Sequence, residues 1–240
     1  MLYATLLTAS FTLAALTLAT ATAPAAAAQS EIYGGFQTFR WQETDSTGAE
    51  LMHETGQLFT LGTAFHSGGR QVLNTTALEV FGGSPTHYET NGSSADHYHG
   101  FSLERRWEQT VSPGKPAPFA GLGWKQWSRS IDSSPGYYGY TESWKSLYGK
   151  AGIRQEHGPL YWVAGVKAPL HISNEVDFID TTFTPRKTLG YFAEIGTAGK
   201  DKKISLTYEY QKYKASATVD GYYQPDSSER LLTLRAVFTL

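Results

Sequence analysis

The sequence of 240 residues contains no cysteine and only two methionines. The lack of cysteine excludes a disulfide framework, a thiolate metal site and a cysteine nucleophile. It also excludes a lipoprotein, because no thiol is present to carry the lipid. An excess of either charge is missing too, since 20 Lys and Arg stand against 22 Asp and Glu. The net charge of −2 gives no support for nucleic-acid binding.

Glycine and aromatic residues are abundant instead. The chain has 24 Gly, 15 Tyr, 12 Phe and 6 Trp, yet only 18% of its residues are charged and the mean hydropathy is −0.34. Disordered chains are poor in aromatic residues, and a helical enzyme would not need so much glycine. The composition therefore favours an all-β protein of one sizeable domain, or at most two.

The first 28 residues contain no charged side chain. An apolar stretch over residues 2–18 is followed by four alanines, of which Ala26 and Ala28 fit the small-x-small cleavage rule. We predict a signal peptide over residues 1–28 and a mature domain over residues 29–240. The usual basic residue at the start is missing, and the alternative is an N-terminal membrane helix. Nothing after Gln29 is apolar for 18 consecutive residues, so no helical span is predicted there.

The mature chain divides into ten segments of alternating polarity. In the ninth, Ile204, Leu206 and Tyr208 face one way and Thr207 and Glu209 the other. The first and third segments are ambiguous in phase. The ten run roughly over residues 31–43, 57–66, 72–81, 98–109, 119–130, 140–154, 160–170, 187–197, 203–213 and 230–240.

Long and short connections alternate along the chain. The short ones lie near residues 67–71, 110–118, 155–159 and 198–202, and the long polar ones at 44–56, 82–97, 131–139, 171–186 and 214–229. Outer-membrane barrels sort their connections in this way, with tight periplasmic turns and long external loops. We predict a closed antiparallel up-and-down transmembrane β-barrel of ten strands, with eight or twelve as alternatives. A soluble β-barrel is a further alternative if export stops in the periplasm.

A barrel in a bilayer needs an apolar outer face with aromatic residues at the headgroup levels. The predicted outer aromatic residues are Tyr33, Trp41, Trp107, Trp124, Trp162, Tyr191, Tyr208, Tyr210 and Phe238.

The whole mature chain resembles the small bacterial outer-membrane β-barrels of OmpA-, OmpX-, Opa- or Opc-like architecture. The resemblance is carried by the signal-peptide-like start, the alternating strands and the last strand with Leu232, Leu234, Ala236 and Phe238 on one face. Such strands normally end in Phe or Trp, whereas here Phe238 lies two residues before the final Leu240. Ten strands resemble the omptin proteases or the neisserial Opc adhesin in size, and no motif assigns the chain to either. The resemblance implies location in the bacterial outer membrane.

The predicted phase sends many charged residues into the narrow interior. Charges buried there must be paired, which predicts a salt-bridge network that fixes the barrel shape. The alternative is a small channel that prefers anions because the predicted bases outnumber the acids. The predicted lumen residues are Glu79, Glu104, Arg106, Lys125, Arg129, Glu142, Lys150, Arg154, Lys167, Glu194, Glu209 and Arg235.

The loops offer weaker candidates for chemistry. His97 and His99 share a strand face and form a weak candidate pair for Zn or Cu, or for a hydrolase together with Asp96. The Tyr- and Gly-rich tips at residues 135–140 and 221–223 suit ligand binding, and their simpler interpretation is the upper aromatic girdle.

We expect a non-enzymatic surface protein of structural or adhesin-like type, with a small porin-like channel and a barrel-embedded hydrolase as alternatives. We expect no cofactor and no catalytic residue. The expected partners of this monomer are the lipid bilayer with its lipopolysaccharide and an extracellular ligand at the loops.

Overall fold

A computed structural model describes residues 29–69, 71–89, 92–133, 139–197, 199 and 201–240. The predicted signal peptide, residues 1–28, lies outside the described residues. In the part of the chain that is described, no helix is long and apolar enough to cross a membrane.

Within these residues, ten long strands form one antiparallel sheet that closes on itself, as predicted. The first strand, β1 (Gln29–Thr44), pairs on one side with β2 (Glu50–Gly68). On its other side it pairs with the last strand, β13 (Asp226–Thr239), and this pairing closes the barrel. Three short strands, β4 (Thr86–Glu89), β9 (Thr181–Phe183) and β10 (Arg186–Lys187), lie in the long connections. The ten long strands are β1 (Gln29–Thr44), β2 (Glu50–Gly68), β3 (Val72–Gly83), β5 (Gly92–Gln109), β6 (Ala117–Ile131), β7 (Tyr140–His157), β8 (Leu160–Val176), β11 (Gly190–Thr197), β12 (Lys202–Lys214) and β13 (Asp226–Thr239).

Several strands continue far beyond their predicted ends at the side of the long connections. Residues 44–56 and 82–97, predicted as polar loops, are largely the first part of β2 and β5 and the short strand β4. The outer face of these extensions is mostly polar, with Leu51 and Tyr88 as exceptions, so they lack the apolar alternation by which a membrane strand is found. The barrel therefore rises above its apolar zone as a sheet instead of ending in loops.

An apolar belt surrounds the middle of the barrel. Side chains that alternate with inward-facing neighbours are exposed there, among them Phe36, Phe59, Leu61, Leu78, Val80, Phe101, Leu122, Leu206 and Leu234. Of the predicted outer aromatic residues, Trp107, Trp124, Trp162, Tyr191, Tyr208, Tyr210 and Phe238 face outward. Tyr33 and Trp41 do not: they are 8% and 1% exposed and point inward, because Gly34 and Phe36 take the outer face of β1. This settles the phase of the first strand, which the sequence pattern leaves open, and the predicted outward placement of Tyr33 and Trp41 is wrong.

Six glycines inside the barrel each lie directly beneath an aromatic ring of the neighbouring strand. A Cβ added to Gly152 would lie 2.7 Å from the Phe119 ring, and one added to Gly165 would lie 2.6 Å from the Phe192 ring. Each ring occupies the space that a side chain would fill at the glycine. The absence of that side chain therefore lets the ring pack against the barrel wall. The six pairs are Tyr33–Gly62, Phe81–Gly100, Phe119–Gly152, Tyr148–Gly123, Tyr161–Gly196 and Phe192–Gly165.

Candidate functional site

The half of the barrel nearer the short turns encloses a cavity of about 430 Å³, which we call the lower cavity. Among the described residues, eight carboxylates and seven basic side chains line it. Ion pairs cross it from wall to wall, including Lys125 to Glu229 at 2.6 Å and Lys150 to Glu104 at 2.7 Å. The lower cavity is therefore a paired charge network and carries no excess of bases.

The structure places all twelve predicted lumen residues on the inner face. Ten of them line the lower cavity: Glu79, Glu104, Arg106, Lys125, Lys150, Arg154, Lys167, Glu194, Glu209 and Arg235. Arg235 pairs with Glu79, and Lys167 with Glu209. The other two, Arg129 and Glu142, lie above the cavity and pair with each other at 2.9 Å.

The predicted surplus of inward bases is wrong. Glu31, Glu108, Glu156 and Glu229 also line the lower cavity, against one further base, Lys203, and they remove the surplus of bases. The strand positions of Glu229 and Glu31 explain why the sequence pattern did not place them in the interior. Glu229 lies one residue before the predicted start of the last strand, and Glu31 lies on β1, whose phase the pattern left open.

Above the lower cavity, packed side chains fill the barrel. Trp41, Trp127, Trp144 and Tyr213 form the centre of this layer, with the Trp127 and Trp144 rings stacked at 5.4 Å and Trp41 edge-on to Trp144 at 5.2 Å. We call the layer the interior plug, and its members are Phe39, Trp41, Met52, Leu58, Tyr98, Trp127, Trp144, Ile172, Tyr213 and Leu231.

Arg129 lies inside the interior plug and binds three carboxylates. Its guanidinium nitrogens are 2.8 Å from Glu54, 2.9 Å from Glu142 and 3.4 Å from Glu43. Indole N–H groups also bind two of these acids: Trp41 Nε1 donates to Glu43 Oε1, the oxygen that Arg129 contacts, at 2.9 Å. Trp144 Nε1 donates to Glu142 at 2.8 Å. A guanidinium offers five donors in a fixed plane, which suits a hub of this kind.

Glu54 joins this hub to a second group of ligand-type side chains. His87 Nδ1 lies 3.4 Å from Glu54 Oε1 and 3.3 Å from Asp96 Oδ2. The three contributing atoms all lie within 4.8 Å of one another, and all three residues are buried. The Tyr98 hydroxyl donates to Glu54 Oε2, which fixes the other carboxylate oxygen. We call Glu54, His87 and Asp96 the acid–histidine cluster.

The acid–histidine cluster lies above the apolar belt, in the strand extensions. Glu54 is five residues beyond the belt residue Phe59 on β2, and Asp96 is five beyond Phe101 on β5. Five strand residues span roughly 16 Å along the strand. The outer face at this level carries polar residues such as His53 and Thr55. The cluster is therefore outside the segments that cross the bilayer.

Burial and mutual proximity shift the pKa values in the cluster. Burial raises the pKa of Asp96 to about 7, and the negative charge of Glu54 adds to the shift while His87 opposes it. Burial lowers the pKa of His87, but Asp96 and Glu54 outweigh it and raise the pKa to about 9. Burial also disfavours ionised Glu54, yet the charge of Arg129 holds its pKa below the usual value. A His87 pKa of about 9 leaves its imidazole positively charged at neutral pH, so His87 offsets one of the two carboxylates of the cluster, and Glu54 shares Arg129 with Glu43 and Glu142.

The weak metal candidates of the sequence, His97 and His99, lie on the outer face of β5. His97 is exposed, with its ring 3.0 Å from the Ser84 hydroxyl and 3.6 Å from Asp132. The structure does not bring either of them to Asp96, whose side chain points to the opposite face. Of the missed residues, Glu54 and Asp96 fall in predicted loops, whereas Glu43 ends the first predicted segment, whose phase the pattern leaves open. Continuing the alternation of Leu58 and Thr60 backward to Met52 and Glu54 would have placed Glu54 inside.

The Tyr- and Gly-rich tip at residues 221–223 lies at the end of the long connections. Tyr222 is half-exposed and contacts the exposed Phe178 edge-on at 6.2 Å, and Phe178 lies 5.2 Å from Tyr140. Phe178 follows the end of β8, beyond the outward-facing Leu170 of the belt. These rings therefore lie above the belt. The tip at residues 135–140 falls outside the described residues except for Gly139 and Tyr140.

No family model matches this sequence. A search of curated proteins also finds no match. Solved structures do match: the outer membrane protease OmpT from Escherichia coli has a TM-score of 0.55 at 10% identity, covering 89% of this chain and 96% of that one. An outer membrane channel from Pseudomonas putida F1 has a TM-score of 0.50 at 8% identity, covering 89% and 95%. The fold is that of bacterial outer-membrane β-barrels, which confirms the predicted fold class. The apolar belt fits the outer-membrane location that this fold implies.

Proposed function

We propose that this chain is a non-enzymatic, non-conducting surface protein of the outer membrane, which contacts an extracellular ligand through its long-loop end. The observation that carries the proposal is the interior plug. A conducting barrel needs a continuous watery path, whereas here a layer of stacked aromatic rings, with Arg129 paired to three carboxylates, crosses the interior.

The energetics of the plug support a static role. Arg129 and its three carboxylates are at most 7% exposed, so opening a passage would break ion pairs in a poorly hydrated environment. Breaking a buried pair by removing one partner costs about 3–5 kcal/mol. The lower cavity is the one feature that favours a channel, and it ends beneath Trp127 and Leu231 of the plug.

The long-loop end supports the surface-binding part of the proposal. Phe178, Tyr222 and Tyr223 are 57%, 50% and 45% exposed there. Tyrosine and phenylalanine offer a large contact area at low conformational cost, as in other binding surfaces. The hydrolase alternative draws on the OmpT resemblance, which at 10% identity concerns the fold, and on His97, which lies outside the barrel wall.

Planar-bilayer recordings test the closed interior. We expect no steady single-channel conductance from the wild-type protein, because the plug interrupts the lumen. Trp41→Ala together with Trp144→Ala should introduce conductance, whereas Trp124→Ala, which removes an outward-facing Trp, should leave the bilayer silent. Steady conductance of the wild-type protein would overturn the proposal.

Retention of cells that display the protein, on immobilised extracellular-matrix proteins and glycans, tests the binding surface. Phe178→Ser with Tyr222→Ser should reduce retention, because it removes the exposed rings. Tyr88→Ser is the matched control: Tyr88 is also exposed at this end but stacks on His53, away from the patch. Equal retention of all three proteins would contradict a role for the patch.

A further inference from the structure

Ligand-type atoms in the acid–histidine cluster have the spacing of a metal site. Two ligands that are each 2.0–2.2 Å from a tetrahedral Zn²⁺ lie about 3.3–3.6 Å apart. His87 Nδ1 lies 3.3 Å from Asp96 Oδ2 and 3.4 Å from Glu54 Oε1. Three protein ligands with one position left for water is a common arrangement for this ion.

Asp96 is the observation that calls for a ligand. Its side chain is 0% exposed, and neither carboxylate oxygen makes a hydrogen bond that meets normal geometry with any described residue. Oδ2 faces His87 Nδ1 at 3.3 Å, but a buried carboxylate that accepts no hydrogen bond is costly, and proteins normally pair such a group fully or use it to coordinate a metal. Among the described residues Oδ1 has no hydrogen-bond partner, and it belongs to the residue that completes the cluster.

The local charge also favours a cation. Four buried carboxylates, those of Glu43, Glu54, Asp96 and Glu142, surround one guanidinium, that of Arg129. Arg129 is directed to the three glutamates, and no ion pair between it and Asp96 is found in the described structure. With His87 neutral, as a metal ligand must be, the four carboxylates and one guanidinium carry a formal charge of −3, which a divalent ion at the cluster would reduce to −1.

Neighbouring side chains hold the proposed metal ligands in place. His87 Nε2, the ring nitrogen that does not face the cluster, lies 4.0 Å from the Glu89 carboxylate. Metal-binding histidines commonly direct their second nitrogen to a carboxylate, which orients the ring. Tyr98 and Arg129 hold Glu54 from two sides. The ligands come from three adjacent strands, β2, β4 and β5, so the sheet itself sets their positions.

From this geometry we propose that Glu54, His87 and Asp96 bind one divalent first-row metal ion, with Zn²⁺ as the reference ion. The donor set of one imidazole and two carboxylates suits such ions. The site lies above the bilayer and would brace the extension that β4 builds on β2 and β5.

Isothermal titration with Zn²⁺ tests the site on untagged, EDTA-treated protein refolded in detergent. We expect one ion per chain, and we expect His87→Gln to weaken binding by at least about 10-fold, since loss of a mere supporting residue already costs 10–100-fold. His97→Gln with His99→Gln is the matched control, because it removes two outward histidines of β5. Binding that survives His87→Gln unchanged, or that disappears in the control, overturns the proposal.

A second measurement uses the wild-type protein and does not depend on how the variants fold. One equivalent of Co²⁺ should produce the intense visible bands of a four-coordinate nitrogen and oxygen site, and Zn²⁺ should abolish them. Sulfur bands are not expected because the chain has no cysteine. Absence of these bands, or bands that persist after excess Zn²⁺, counts against the site.

Discussion

Arg129 is the residue whose environment determines the character of the loop-side interior. It is 1% exposed and binds Glu43, Glu54 and Glu142, while its guanidinium lies 5.6 Å from the centre of the Trp41 ring. One cation thus pairs with carboxylates from β1, β2 and β7, and β7 is far from the other two strands in the chain. The hub links three strands of the wall through a single side chain.

Arg129→Met should destabilise the barrel strongly. The substitution leaves three buried carboxylates without their cation, and loss of one partner of a buried pair costs about 3–5 kcal/mol. Lys145→Met is the control, because Lys145 is exposed and its 3.6 Å pair with Glu175 contributes at most about 1 kcal/mol. Denaturant unfolding in detergent micelles measures both. Similar losses in the two variants would contradict the role given to Arg129.

The residues of the candidate site were only partly predictable. Arg129 and Glu142 follow from alternation next to apolar positions, because Trp124 and Leu147 fix the phase of their strands. Glu54 and Asp96 follow only if the strands are known to continue beyond the apolar belt, because the neighbouring outer positions, such as His53 and His97, are polar as well. Where both faces are polar, the sequence does not show that a strand continues, and the pairing of strands in three dimensions supplies that information.

At the scale of the strand, the glycine and aromatic positions explain the unusual composition. Six interior rings cover six glycines on neighbouring strands, so the high content of aromatic residues and the high content of glycine are linked. The number and order of strands could be predicted because the belt is apolar on one face only. The lengths could not, since the extensions leave the bilayer and the apolar pattern stops there.

Two glycines of β7 make a matched test of this packing. Gly152→Ala should destabilise the barrel by about 1–3 kcal/mol, because the new methyl group would meet the Phe119 ring and a backbone carbonyl of β8. Gly149→Ala should be tolerated, because its nearest neighbour would be a carbonyl oxygen at 3.9 Å. Denaturant midpoints in micelles measure the difference. A larger loss of stability in Gly149→Ala than in Gly152→Ala would show that the contact with the Phe119 ring does not determine the cost of the substitution.

At the scale of the molecule, closure depends on the seam between β1 and β13. Thr38 lies opposite Leu232 on the outer face of that seam. Side chains at directly opposed positions have Cβ atoms about 4.5–5.5 Å apart, close to the separation that a disulfide requires. The natural chain contains no cysteine, so an introduced pair reacts without competition.

Thr38→Cys with Leu232→Cys should form a disulfide on mild oxidation of the folded protein. The product should be a loop-closed species that migrates differently on a denaturing gel until it is reduced. Thr38→Cys with Leu240→Cys is the control, because Leu240 lies near Ser30 at the other end of β1. Cross-linking of the control alone would mean that the strands meet in another register.

The seam also fixes the order of events in biogenesis. The first strand of the barrel pairs with the last along its whole length, from Glu31 opposite Thr239 to Thr44 opposite Asp226. The barrel cannot close before β13 is available to β1, because each of the two strands is the other's neighbour across the seam. Until then β1 has a free edge, which is a template for aggregation. Closure of the seam is therefore the step that removes the exposed edge of the sheet, and any delay in it prolongs the period in which the chain can aggregate.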